Sequence, residues 1–137
     1  MRKIKAGLIG CGHVSGLVIR NCSMFQSLEI TACADLDMER AHRTADAHKL
    51  RACSVHDLLH DNEIDMIINL TVPSAHAEVT LAALQAGKHV YSEKPLAVTF
   101  EEGIQIEQLA LQQGLLVGSA PDTFLGGGLQ TCRKLID

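Results

Sequence analysis

The sequence predicts a doubly wound α/β fold: a parallel sheet of about six strands with helices on both faces. Three observations predict it. Short apolar, β-branched runs alternate with segments of helical period along the whole chain. The first such run ends in glycines and opens straight into a helical pattern. Apolar residues make up 47% of the 137 residues but aromatics only 3%, with no Trp. The core is therefore Leu, Ile, Val and Ala, which suits helices laid on a parallel sheet, and the length suffices for one domain with a real core.

Ile4, Ala6, Leu8 and Ile9 lead without a break into Gly10, Cys11 and Gly12, a buried strand meeting a tight turn. Val14, Leu17 and Val18 then continue at helical spacing out to Phe25. Gly10, Gly12 and Ser15 fit a G-x-G-x-x-G pattern with Ser in the third place and Gly16 one residue late. Ser is small enough to let helix and strand approach. A helix N-terminus carries unpaired N–H groups and partial positive charge, so it suits a diphosphate. Gly10 permits the turn, and Gly12 has no Cβ to hold a pyrophosphate away. The alternative is an ordinary βα turn.

Leu28 to Ala34 is the second strand and ends at Asp35. A carboxylate about 20 residues beyond the glycine loop is where such a unit holds the adenosine ribose hydroxyls. It would repel a 2′-phosphate, so Asp35 favours NAD over NADP, with Arg40 and Arg43 nearby as a counterweight. Asp35 or Asp37 could instead cap the helix over Met38 to His48, and both roles can coexist. Leu50 to Cys53 is a short third strand. Ser54 caps a helix that turns Val55, Leu58 and Leu59 inward. His56 and His60 share a face of that helix in H-D-L-L-H, which resembles the zinc pattern H-E-x-x-H. Asp replaces the Glu and no third ligand is evident, so no metal site is expected.

Ile64 to Val72 is the strongest strand by composition, ended by Pro73. Ser74 caps the next helix, Ala75 to Ala86, with Val79, Ala82, Ala83 and Ala86 inward and Gly87 just past its end. Thr71 to Ser74 then lie at the carboxyl edge of the sheet, where open α/β folds bind ligands. His89, Val90 and Tyr91 form another strand, and Ser92-Glu93-Lys94-Pro95-Leu96 follows at the same edge. Thr99 and Glu102 make a capping box for a helix to Gln113, stopped by Gly114. Leu115 to Gly118 is the sixth strand, 119–125 a loop, and Gly126 to Gly128 open a last helix. Right-handed crossovers complete the doubly wound sheet.

Composition excludes several function classes. A net charge of -4 disfavours nucleic acid and anionic membrane as partners. No apolar run is long enough to span a bilayer. The N-terminus is basic and then apolar, but glycines fall where a secretory segment should continue, so a cytoplasmic protein is expected. The five cysteines are scattered without C-x-x-C, which points to reduced thiols. Cys11 reads as a space-filler rather than a reactive thiolate.

G-L-I-G-C-G near the start, A-D closing the second strand, N-L-T-V-P-S-A-H, and H-V-Y-S-E-K-P-L-A occur together. On these motifs the chain resembles, over essentially its whole length, the N-terminal domain of the Gfo/Idh/MocA oxidoreductases. The resemblance implies a Rossmann-type NAD(P)-binding domain at 1–125, with 126–137 starting a helix toward a C-terminal substrate domain. It implies that Gly10, Cys11, Gly12, His13 and Val14 hold the cofactor diphosphate and Asp35 the ribose. Thr71, Pro73 and His76 would line the adenosine and nicotinamide side. Glu93 and Lys94 would approach the nicotinamide ribose, with Lys94 also reaching the substrate hydroxyl, and the Lys-Pro bond is often cis. Asp122 and Thr123 could touch nicotinamide or substrate.

The implied activity is hydride transfer between a nicotinamide cofactor, NAD before NADP, and a sugar, cyclitol or related alcohol. An ammonium at Lys94 can stabilise developing alkoxide charge or relay the hydroxyl proton. The alternative for Lys94 is a surface lysine paired with Glu93. The family's second domain supplies substrate contacts, an aspartate and histidine for proton transfer, and a homo-oligomer interface, so these residues alone are expected to bind a dinucleotide and turn over little. The competing function is a non-catalytic dinucleotide- or sugar-sensing module on the same fold.

Overall fold

The computed structural model describes residues 2–120 and 125–137. Six strands form one parallel sheet: β1 (Ile4–Ile9), β2 (Leu28–Ala34), β3 (Arg51–Cys53), β4 (Met66–Asn69), β5 (His89–Ser92) and β6 (Val117–Ser119). Their order is β3-β2-β1-β4-β5-β6. The chain winds outward from β1 in one direction and from β4 in the other, so the topology reverses between them. The doubly wound fold and six strands are as the sequence predicts.

Helices α1 (Ser15–Cys22) and α2 (Met38–His48) cover one face. Beneath them Leu8, Cys11, Ile19, Cys33, Ala41 and Ala45 form a small core. The larger core includes Ile9, Ala34, Leu58, Ile67, Leu84, Val90 and Ile106. It lies under α3 (Val55–Leu59), α4 (His76–Gln85) and α5 (Phe100–Gln113). The fully buried strand residues Ala32, Cys33 and Ala34 are small, which lets both helical layers come close to β2. The last helix, α6 (Gly127–Ile136), is exposed along its length.

Ladder register brings four strand ends level. Ile9 stands opposite both Ala34 and Asn69, and Asn69 opposite Ser92. The segments beginning at Gly10, Asp35, Leu70 and Glu93 therefore leave the sheet along one edge.

Some boundaries differ from the expectation. The fourth strand ends at Asn69 rather than Val72, because the Asn69 side chain accepts the Thr71 N–H at 3.2 Å and turns the backbone out of the ladder. The following helix begins at His76, after a single 3-10 turn at Pro73–Ala75, and Ser74 makes no cap. Its buried residues are His76, Ala77, Thr80, Ala83 and Leu84, while Val79, Ala82 and Ala86 are only partly buried. A reading that counts only apolar residues as inward misses a face that is polar at two places. The first helix stops at Cys22, leaving Met24 and Phe25 exposed in a turn. The third and sixth strands start later than predicted, at Arg51 and Val117, and the sixth extends to Ser119. The caps by Ser54 and by the Thr99–Glu102 box are as predicted, and the Lys94–Pro95 bond is cis.

Candidate functional site

Gly10 sits at φ +99°, a conformation that L side chains rarely adopt. A Cβ there would lie 2.6 Å from the Leu70 carbonyl, so glycine is needed to let the loop after β1 pass the end of β4. The Gly10 N–H donates to the Ala34 carbonyl at 2.9 Å and continues the ladder. The Cys11 N–H then donates to Asp35 Oδ2 at 2.8 Å, and the Cys11 thiol turns inward toward the Ala34 carbonyl. A hydrogen bond from Cys33 draws the Cys11 thiol below its ordinary value. That contact and burial push Cys33 up.

Ser15 closes the loop. It is 4% exposed, its hydroxyl donates to the Gly12 carbonyl at 2.7 Å, and its N–H donates to the same oxygen at 3.2 Å. The N–H groups of Gly12, His13 and Val14 meet no acceptor among the described residues. Helix α1 also has no side-chain cap and no acidic residue in its first turn. By contrast, Asp37, Ser54 and Thr99 cap α2, α3 and α5. A Cβ on Gly12 would meet nothing within 4 Å. The head of α1 is therefore an open cradle of amides, carrying the partial positive charge of a helix N-terminus.

At the end of β2, Asp35 Oδ1 accepts the Asp37 N–H at 2.9 Å while Oδ2 holds Cys11. Asp37 caps α2 by accepting the Arg40 N–H at 3.2 Å. The Arg40 guanidinium spans both carboxylates, 3.7 Å from Asp35 and 3.6 Å from Asp37. Arg43 pairs with Glu39 instead.

A cleft of about 580 Å³ opens between these loops, with Gly10, Gly12, His13, Asp35, Arg40 and Thr71 in its wall. It lies at the switch point between β1 and β4. A larger groove of about 680 Å³ runs beside α5 and β6. Its lining is mostly apolar and includes none of the predicted site residues.

The remaining predicted residues stand as follows. Val14 is the N-cap position of α1 and is exposed. Pro73 is exposed between Val72 and Ala75, which both line the cleft. His76 is buried behind the wall, held by the carbonyls of Thr71 and Pro95. Glu93 and Lys94 follow β5, one strand beyond the cleft. Glu93 accepts the Lys94 backbone N–H at 2.7 Å, and the Lys94 ammonium enters no ion pair among the described residues. Asp122 and Thr123 lie outside the described residues. The His56 and His60 rings stack at 4.3 Å, and no third ligand-type residue joins them among the described residues.

Sequence reasoning missed Asn69. It is fully buried, and its Nδ2 donates to the His76 carbonyl at 3.0 Å and to Thr80 Oγ1 at 3.2 Å. Its Oδ1 accepts the Thr71 hydroxyl at 2.7 Å. The signal was a lone amide inside the apolar run M-I-I-N-L, since a buried Asn needs partners and organises whatever supplies them.

The described residues fit a dinucleotide. Three unused amides, an uncapped helix head and the empty space before Gly12 suit a diphosphate, and the paired Asp35 and Arg40 line the same cleft.

Comparison with known proteins points the same way. The model of the oxidoreductase family with an NAD-binding Rossmann fold, Gfo/Idh/MocA, matches residues 4–120. An inositol 2-dehydrogenase of Salmonella typhimurium (strain LT2) is 35% identical over 100 residues, covering 70% of this chain and 30% of its own length. The crystal structure of the WlbA dehydrogenase from Bordetella pertussis, in complex with NADH and UDP-GlcNAcA, superposes with a TM-score of 0.91 at 28% identity, covering 98% of this chain and 40% of that one. That of biliverdin reductase from Synechocystis sp. PCC 6803, in complex with biliverdin and NADP+, gives 0.90 at 29%, covering 97% and 42%. The chain thus spans well under half the length of each of these relatives. No described helix is long and apolar enough to cross a membrane.

Proposed function

The chain belongs to the Gfo/Idh/MocA oxidoreductase family, and from that premise we propose that it binds NAD, in preference to NADP, as the cofactor half of a dehydrogenase acting on a sugar, cyclitol or related alcohol. One observation carries the binding mode: the head of α1 offers the Gly12, His13 and Val14 amides around a glycine with nothing in front of it. A diphosphate would take those amides. The Cys11 amide is already given to Asp35, so Cys11 shapes the loop and its thiol fills the core beneath.

Asp35 would receive the ribose hydroxyls, and its charge would oppose a 2′-phosphate. Arg40 supports the weaker claim of NADP, because a guanidinium already beside two carboxylates could turn to a phosphate. Thr71 lines the cleft, with Pro73 between the lining residues Val72 and Ala75, where the cofactor would run toward Glu93 and Lys94. When bound, a nicotinamide cofactor supplies the acceptor or donor of hydride. Lys94, exposed and without an ion-pair partner among the described residues, would place an ammonium at the substrate hydroxyl. There it would stabilise developing alkoxide charge or pass on the proton. In this reading residues 126–137 lead into a second domain that selects the substrate, supplies further proton-transfer groups and carries a subunit interface.

The test is titration of the chain with NADH and with NADPH, following nicotinamide fluorescence. Saturable binding with NADH the tighter ligand is expected. No binding of either would overturn the proposal, and tighter NADPH binding would reverse the cofactor preference.

A further inference from the structure

The cleft that takes in Gly12 and Asp35 also has an apolar portion. Leu36, Val55, Val72, Ala75 and Val79 share its wall, with the carboxylate of Glu78 beside them. Leu36 is 97% exposed and Val72 63%. Single exposed apolar residues are ordinary on a surface, but the backbone around Leu36 is pinned on both sides. Asp35 Oδ1 accepts the Asp37 N–H at 2.9 Å, across Leu36, and the Asp37 side chain caps α2. The turn therefore holds an apolar side chain out in the cleft wall. Glu78 stands in the first turn of α4 and enters no hydrogen bond or ion pair among the described residues. Asp35 follows β2 and Glu78 lies beyond β4, and β1 separates those two strands in the sheet. The two carboxylates thus reach the cleft from opposite sides.

We infer that Glu78 reads the base of the dinucleotide: its carboxylate accepts a hydrogen bond from the 6-amino group of adenine, while Leu36 and Val72 cover the faces of the ring. This makes Glu78 a specificity-determining residue, and the inference rests on the dinucleotide binding proposed above. With the ribose at Asp35, the base joined to it meets the apolar wall that begins at the next residue, Leu36. The edge of the ring away from the sugar then points across the cleft toward α4. Apolar walls accept the flat face of any purine and do not tell one from another. In an apolar pocket the choice falls to the few polar groups placed in it. A carboxylate can only accept, so it favours a base that turns an amino group toward it. A base with a carbonyl oxygen at that position sets acceptor against acceptor, and a site built for a hydrogen bond rejects a partner that cannot make it.

The experiment is titration of the chain with NADH and with deamino-NADH, the hypoxanthine analogue that carries a carbonyl oxygen in place of the 6-amino group, following nicotinamide fluorescence. NADH should bind about fivefold more tightly or better, the worth of one net hydrogen bond. Glu78→Gln carries an amide that can accept from the amino group or donate to the carbonyl, so it should bind the two nucleotides alike. Its melting temperature should stay close to wild type, because Glu78 is exposed and unpaired among the described residues. Leu36→Ala removes wall and not reader. It should weaken both nucleotides by about fourfold or more, the effect of roughly one buried methylene group, and leave their ratio as in wild type. Equal affinities in wild type, or a preference that persists in Glu78→Gln, overturns the inference and leaves Glu78 as a first-turn residue of α4 alone. Binding of neither nucleotide removes the dinucleotide reading and this inference with it, whereas NADH binding without discrimination removes the inference alone.

Discussion

The Asp35 carboxylate and the Cys11 amide, 2.8 Å apart, fasten the end of β2 to the glycine loop after β1. The other carboxylate oxygen holds the Asp37 amide at 2.9 Å, so one side chain sets the path of two segments that border the cleft. Removing it acts twice. Asp35→Ala orphans two amides, at about 1–3 kcal/mol for each one left buried and unsatisfied, and also removes the proposed ribose acceptor. A lower melting temperature together with at least about tenfold weaker NADH binding is expected, since a lost charged hydrogen bond is worth about 1.5–3 kcal/mol. Asp35→Asn keeps one acceptor oxygen and loses the charge. It should melt closer to wild type and narrow the gap between NADH and NADPH. A gap that stays unchanged in Asp35→Asn would remove the electrostatic argument for NAD.

Gly10 and Gly12 separate folding from binding. Gly10→Ala places a Cβ 2.6 Å from the Leu70 backbone at φ +99°, where an L residue is strained by about 1–3 kcal/mol even before the clash. It should destabilise the chain clearly in urea. Gly12→Ala has no positive φ to oppose it and meets no protein atom within 4 Å, so its stability should stay within about 0.5 kcal/mol of wild type. Its methyl group would occupy the space before the free amides, and NADH binding should drop by about tenfold or more. A Gly12→Ala chain that melts normally and still binds NADH at full strength would place the diphosphate elsewhere.

The glycine turn and the caps of α3 and α5 were legible because backbone geometry writes them into residue type. Only glycine tolerates the Gly10 backbone, and a capping box needs Thr99 and Glu102 three apart. The polar interior was not legible in that way. Asn69, Thr80 and His76 sit where periodicity expects apolar side chains, and their burial depends on partners from separate elements. His76 shows the difference plainly: the family motif marks it as a residue near the cofactor, whereas the fold puts its ring behind the cleft wall, between two carbonyls. The fourth strand ended before its predicted limit for the same reason, since the Thr71 amide and hydroxyl donate to the Asn69 side chain instead of continuing the ladder.

Acid should weaken the fold through Asp65. Its carboxylate accepts the Lys5 N–H at 2.9 Å and pairs with Arg2, and the backbone bond before the guanidinium holds it below the usual Asp value. The folded value is thus lower than the unfolded one, near 3.9. Its stabilisation is complete above that range and disappears as pH falls through the depressed folded value. Asp65→Asn should therefore unfold at lower urea than wild type at pH 7, with the difference shrinking below about pH 4. Parallel curves for the two proteins across that range would show that the carboxylate contributes nothing to the acid limb.

Asn69 offers a test in which charge and shape separate. Its Nδ2 donates to the His76 carbonyl and to Thr80, and its Oδ1 accepts from the Thr71 amide and hydroxyl. Asn69→Ala leaves those groups without partners, at about 1–3 kcal/mol for each one that stays buried. Asn69→Asp keeps the shape and the acceptor toward Thr71, but turns a carboxylate oxygen on the His76 carbonyl in a fully buried position. At pH 7 it should be the less stable of the two, because an unpaired buried charge costs more than a cavity the size of an amide. Burial and the facing carbonyl both favour the neutral acid, whose O–H can replace the lost donor. Urea midpoints for Asn69→Asp should therefore rise relative to Asn69→Ala as pH falls toward the carboxylate range, until acid weakens the fold as a whole. Equal pH dependence in the two variants would mean that the amide nitrogen is not what holds the start of α4 to the end of β4.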